Sequence, residues 1–241
     1  MTAPTAPDAL MVLDYPGRRP EAPVTALGLD GMVALLADPL PVEGTGPAYA
    51  ARLDDGPGPV LAYCAASAIA VHLARRSGHP RPLVLFDPMP TTDDDVARGY
   101  ADAVAQVPGG SEPPVPFGEL PAAPEAFLRA VRQDLARRAE AALRAQGLDD
   151  EVTAGPVAHF TRQHLSYLAY LLAARGALPR EPVGPVLQVL SRDHPDHGDW
   201  LPEGPLTTLR VDCDRAGLTA HETTRTGVVS FLSATTRRQH A

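Results

Sequence analysis

The chain has no lysine: all 21 of its basic residues are arginine. That excludes a Schiff-base lysine and any lysine nucleophile or general base. Cysteine is scarce too, at two in 241 residues. That is too few for a disulfide framework, and no Cys/His cluster has zinc spacing, so no metal is expected. Aromatics make up 5% of the residues, which leaves Ala, Leu and Val to supply the core. No apolar run approaches the roughly 18 residues of a membrane span. There is no signal-peptide pattern, so a soluble, cytoplasmic protein without a membrane partner is expected. A basic stripe is missing as well, and the net charge is −8, which argues against a nucleic-acid partner.

What is present is organised around Pro59 to Pro90, PVLAYCAASAIAVHLARRSGHPRPLVLFDPMP. Val60–Tyr63 has the length of one buried strand. Ala65–Arg76 is Ala-rich with two Arg in its last turn and stops at Ser77-Gly78-His79-Pro80, so it reads as a helix. Leu83–Phe86 is a second strand, ending on Asp87-Pro88. Strand, helix and strand with tight connections make a βαβ unit, whose two strands lie parallel and buried.

Cys64 stands at the turn from strand into helix. The helix start places about half a positive charge beside its sulfur, and the unpaired N–H of Ala65 can hold an oxyanion. The residues two before and two after it, Ala62 and Ala66, are small, as the close approach of backbones at such a turn requires. The pattern A-Y-C-A-A is thus a G-x-S-x-G nucleophile elbow with Cys for Ser and Ala for both Gly. Ser67 is the rival nucleophile, but the β-branched Ile69 would crowd its elbow. The alternative for Cys64 is a small buried thiol in a strand.

Further strands are predicted at Ala9–Leu13, Met32–Ala37, Val186–Leu190 and Leu206–Val211. A short helix is predicted at Ala48–Leu53, and longer ones at Asp93–Ala105, Pro124–Gln146, Thr153–Arg175 and Val228–Ala234. This is one α/β domain with a mainly parallel sheet, its core at 9–91 and 183–237 and a helical insertion at about 92–182. A helical insertion at the carboxyl edge of a sheet is a lid in physical terms. Cys213 follows the last strand and reads as structural.

A cysteine nucleophile calls for a base and an orienting carboxylate. Among eight histidines, His221 follows the last strand, on the edge where Cys64 projects. Asp87 ends the strand after the elbow helix; Asp193 and Asp196, one strand later, are its rivals.

The order of elbow, strand-end Asp, helical insertion and late His resembles the thioesterase domains of non-ribosomal peptide and polyketide synthases, members of the α/β-hydrolase fold. VLAYCAASAIAVHLA looks like their elbow strand and helix, and LVLFDPMP like their strand with the triad Asp. The resemblance implies a Cys64–His221–Asp87 triad, with Ala65 and, from the DYPG segment, Gly17 as oxyanion-hole amides. Stand-alone type II thioesterases keep the acid one strand later, which would select Asp193 or Asp196. The sequence departs from the family in its Cys, in its two elbow Ala and in the lack of a G-D-H motif at His221.

Cysteine carries a mechanistic meaning. A thioester on Cys64 lies near in energy to the phosphopantetheine thioesters of acyl and peptidyl carrier proteins, so exchange is reversible, and thioesters prefer amines and thiols to water. Cys-containing proteins that resemble this pattern shuttle aminoacyl groups between carriers. The expected function is acyl or aminoacyl transfer in natural-product biosynthesis, with no resident cofactor and the substrate carried on a carrier protein's phosphopantetheine. The alternatives are a hydrolytic editing or releasing thioesterase, and an inactive hydrolase-fold partner protein.

Overall fold

The computed structural model describes residues 9–16, 21, 23–53, 56–76, 78, 80–109, 123–176, 184–195, 200–201 and 203–239. Six strands, β1 (Leu10–Leu13), β2 (Met32–Ala34), β3 (Val60–Tyr63), β4 (Leu83–Phe86), β5 (Val186–Leu190) and β6 (Leu206–Arg210), form one sheet in the order β2-β1-β3-β4-β5-β6. Every pairing is parallel. The helices are α1 (Gly46–Ala50), α2 (Ala66–Arg76), α3 (Asp93–Ala105), α4 (Pro124–Ala145), α5 (Asp150–Ala173) and α6 (Glu222–Gln239).

The central strands read VLAY, LVLF and VLQVL, and every residue in them is buried. Unbroken apolar runs of this kind arise where both faces of a parallel sheet are covered. On one face Leu61, Tyr63, Val84, Phe86 and Val189 join Val228 of α6 in a single core. Each such side chain contributes about 1.5–3 kcal/mol on burial. The edge strand β6, LTTLR, is mostly exposed.

The amino ends of the strands are tied by Arg81, which is 2% exposed. Its Nε and Nη2 donate to Gly58 O at 3.0 and 2.7 Å, and Nη2 also reaches Gly56 O at 2.7 Å. Gly184 must be glycine there: its φ is +128° and a Cβ would stand 2.5 Å from Arg81 O.

The chain divides into two compact units. One comprises Met1–Pro39, Ala50–Pro90 and Gly176–Ala241 and holds the whole sheet; the other comprises Leu40–Tyr49 and Thr91–Arg175. Within the helical unit, α4 and α5 pack together, and Gly44 N donates to Glu125 Oε1 at 2.9 Å. Tyr100 OH donates to the Asp134 carboxylate, which Arg137 and Arg138 also hold. Burial, then Asp134, pushes the Tyr100 phenol well above its ordinary value. No described helix is long and apolar enough to cross a membrane.

Several boundaries differ from the predicted ones. α5 starts at Asp150 because Asp149 caps it, Oδ1 accepting from Val152 N at 3.3 Å. α6 begins at Glu222 rather than Val228. Its buried stripe runs through Thr224, Val228 and Thr235, so threonines occupy positions where a periodicity search expects apolar residues. Gly227 lets it close on β6, since a Cβ there would sit 2.4 Å from Leu209 Cδ2. α1 lies at Gly46–Ala50, earlier than the predicted Ala48–Leu53, and β2 ends at Ala34.

Candidate functional site

Register aligns the site. Tyr63 pairs with Phe86, and Phe86 with Val189, so Cys64 and Asp87 lie level, each one residue past the carboxyl end of its strand. The ladder continues past the strands: Cys64 N donates to Phe86 O at 2.8 Å and Asp87 N to Val189 O at 2.9 Å. Both residues then turn sharply, with φ of +55° at Cys64 and +41° at Asp87. Neither is glycine, and a non-glycine residue in the left-handed region costs on the order of 1–3 kcal/mol. These are the two positive-φ non-glycine residues among the described ones, and they stand on adjacent strands.

Cys64 is half-buried and carries a free thiol. Ala62 and Ala66 flank it, both fully buried. Ser67 N donates to Cys64 O at 3.0 Å, closing the turn into α2. Ala65 N–H makes no hydrogen bond with any described residue. The rival nucleophile Ser67, in α2, is fully buried, its hydroxyl without a hydrogen-bond partner among the described residues.

The Asp87 carboxylate is 0% exposed. Its Oδ1 accepts from Ser191 N at 2.8 Å and its Oδ2 from Ser191 Oγ at 2.8 Å. His194 Nδ1 lies 3.7 Å from Oδ1, while its Nε2 is 3.2 Å from Pro88 O. Both nitrogens of this buried imidazole therefore face acceptors. Asp193 is an exposed turn residue. Asp196 and Gly17 lie outside the described residues.

His221 stands between a 3-10 turn at Leu218–Ala220 and the first residue of α6. Its Nδ1 accepts from Thr223 N at 3.2 Å, so the ring serves as a cap for α6. Among the described residues no hydrogen bond or ion pair joins His221 to Asp87 or to Cys64. The structure thus brings Cys64, Ala65 and Asp87 to one edge, and the carboxylate there meets Ser191 and His194.

Arg215, between β6 and α6, was not singled out by sequence. Its Nε lies 3.2 Å from Tyr63 OH and 3.1 Å from Glu21 Oε1, and its Nη1 is 3.6 Å from Met89 Sδ. The guanidinium carbon is 5.5 Å from the Tyr63 ring centroid. Burial opposes its charge, yet Cys64 and Tyr63 hold the guanidinium protonated above its ordinary range. Burial pushes the Tyr63 phenol well up despite Arg215. Ser191 had a readable signal, since it follows β5 directly and so falls beside Asp87. Arg215, preceded by Asp212 and Asp214 in a loop, had none. Among the described residues no group of His, Cys, Asp and Glu could hold a metal ion.

No family model and no curated protein matches the sequence. Among solved structures, a four-domain nonribosomal peptide synthetase bound to AMP and glycine matches 94% of this chain at 17% identity with a TM-score of 0.52. The chain spans 19% of that synthetase's length. The RedJ thioesterase of the prodiginine pathway in Streptomyces coelicolor is 18% identical over 94% of this chain and 85% of its own, with a TM-score of 0.47. The NocB thioesterase domain, solved as a covalent complex with a fluorophosphonate nocardicin G analogue, is 16% identical over 93% and 94% of the two chains, with a TM-score of 0.45. With its parallel sheet flanked by helices, the chain has the α/β-hydrolase fold.

Proposed function

We propose that this chain transfers acyl or aminoacyl groups between carrier-protein thioesters, through a covalent thioester on Cys64, in natural-product biosynthesis. The observation that carries the reading is Cys64 itself, a half-buried thiol at φ +55° on a strand-to-helix turn. There the sulfur of Cys64 attacks the carbonyl carbon of a phosphopantetheine thioester, the free Ala65 N–H receives the oxyanion, and the pantetheine thiolate departs. Reversal onto a second carrier completes the transfer. The likeness in fold to part of a nonribosomal peptide synthetase is consistent with an acyl or peptidyl carrier protein as partner.

Hydrolysis, the runner-up, needs a base to activate water. His221 is the base this reading assigns to water and amine acceptors, with Asp87 as its orienting carboxylate. That role requires its ring to release Thr223 N–H, and the present engagement of Nδ1 favours transfer over hydrolysis. The test is incubation of the protein with an acylated carrier protein, followed by intact-mass detection. An acyl adduct on Cys64 that moves to a second carrier or an amine, and is lost in Cys64→Ala, is expected. Free acid formed without an acceptor would establish hydrolysis instead, and no adduct in any condition would leave a binding protein.

A further inference from the structure

Strand register brings one arginine to the height of the nucleophile. Tyr63 pairs with Phe86, Phe86 with Val189 and Val189 with Leu209. Arg210, the last residue of β6, is therefore level with Cys64, three strands across the sheet. At about 4.8 Å per strand the two backbones stand about 14 Å apart.

The Arg210 guanidinium is held along one edge. Its Nη1 donates to three carbonyls of the loop after β5, Ser191 O and Arg192 O at 3.1 Å and His194 O at 2.9 Å. That loop is fixed in turn: Ser191 N and Oγ each bind the Asp87 carboxylate at 2.8 Å, and His194 Nε2 lies 3.2 Å from Pro88 O. Nε and Nη2, on the other edge of the fork, make no hydrogen bond or ion pair among the described residues. The residue is exposed. The Asp212 carboxylate, two residues on, is engaged by Arg192 at 2.5 Å instead.

A planar fork with one edge anchored and the other open can take two oxygens of an anion side by side, as carboxylate and phosphate offer them. Reach selects between those anions. A carrier protein's phosphopantetheine has a phosphodiester at one end and the reactive sulfur at the other. From phosphorus to sulfur it runs about thirteen bonds, roughly 15 Å at the extension of a peptide backbone, which gains about 3.5 Å per three bonds. An extended arm with its sulfur at β3 thus ends at β6. In a chain of net charge −8, this open guanidinium edge is a local attraction and not part of a general basic surface.

We infer that Arg210 seats the phosphodiester of a carrier protein's phosphopantetheine while the thioester carbonyl lies at Cys64. This rests on the reading of Cys64 as the nucleophile toward carrier-bound thioesters. The Nη1 contacts set the plane of the guanidinium, and Nε and Nη2 donate to two phosphate oxygens. Arg210 forms no bond and moves no proton; it selects the arm.

The test is calorimetric titration of the intact protein, under reducing conditions, with phosphopantetheine and with pantetheine, which differ only in the phosphate. Wild type is expected to bind the phosphorylated compound about tenfold more tightly or better, the usual effect of hydrogen bonds to a charged group. Arg210→Gln should remove most of that preference. Mere loosening of the loop after β5 would weaken both compounds together and keep their ratio. Arg210→Lys retains a charge but loses the fork, and its preference should fall between the other two. Equal affinity of wild type for the two compounds, failure to bind either included, would overturn the inference, as would a preference that survives Arg210→Gln. If Arg210→Gln does not fold, Arg210→Lys decides, and a preference equal to that of wild type overturns it. Acylation of Cys64 by an acyl-phosphopantetheine is scored separately by intact mass. An Arg210-dependent preference without any adduct on Cys64 refutes the transferase reading and keeps the phosphate seat.

Discussion

Ser191→Ala isolates what holds the Asp87 carboxylate. The wild-type carboxylate is 0% exposed and takes two hydrogen bonds from one residue, Ser191 N to Oδ1 and Ser191 Oγ to Oδ2, both at 2.8 Å. Alanine keeps the backbone donor and removes the hydroxyl, so Oδ2 is left charged and buried without that donor. Losing a hydrogen bond to a buried charge costs about 1.5–3 kcal/mol, and Ser191 is itself buried, which leaves little space for a replacement water. A destabilisation of about 2 kcal/mol is expected, equivalent to about 4–8 °C in Tm for a chain of this size. The measurement is urea and thermal unfolding, with an unchanged m-value. Asp87→Asn supplies the other edge of a double-mutant cycle. Asparagine tolerates a positive φ such as the +41° found here,. Its carbonyl still accepts from Ser191 N, and its amide can donate to a hydroxyl turned to accept. In that background Ser191→Ala should cost less than about 1 kcal/mol, so the two changes couple by about 1 kcal/mol or more. If Ser191→Ala costs the same in both backgrounds, or stays within about 0.5 kcal/mol of wild type, this pairing does not hold the carboxylate.

For transfer to an amine acceptor, Asp87→Asn is expected to cost about 100-fold or more, scaled down from the larger penalty known for a serine triad. Asp193→Asn should be neutral, since Asp193 is an exposed turn residue; steady-state aminolysis rates of both variants check this. His72, in α2, is held below its ordinary value of 6.5 by burial and then by Arg75. The unfolded chain therefore binds its proton first, and stability is lost as pH falls from about 6.5 through the lower folded value. His72→Gln should flatten that decline, read as the difference in urea midpoints between pH 7.5 and 5.5. Arg81→Met should destabilise by about 3 kcal/mol or more, because it strips the donors from the buried Gly58 carbonyl and the half-buried Gly56 carbonyl at the amino edge,; a loss below about 1 kcal/mol would mean that water replaces them.

The βαβ core was legible because its signals are local. VLAY and LVLF are unbroken apolar runs, Ala65–Arg76 carries its own stop signal, and the strand bounds 60–63, 83–86 and 186–190 agree with the observed ones. Cys64 and Asp87 could be placed at strand ends for the same reason, and the parallel register then made them level. What could not be read was the pairing of side chains from distant segments. Tyr63 meets Arg215 across 152 residues of chain, and nothing in the loop after β6 marks that arginine. The length of α6 was hidden by Thr224 and Thr235, which sit in its buried stripe with their hydroxyls; Thr235 donates to Leu232 O at 2.9 Å inside the helix. That misjudged start matters chemically. A helix beginning at Val228 leaves His221 in an open loop, whereas one beginning at Glu222 makes it a cap with Nδ1 engaged.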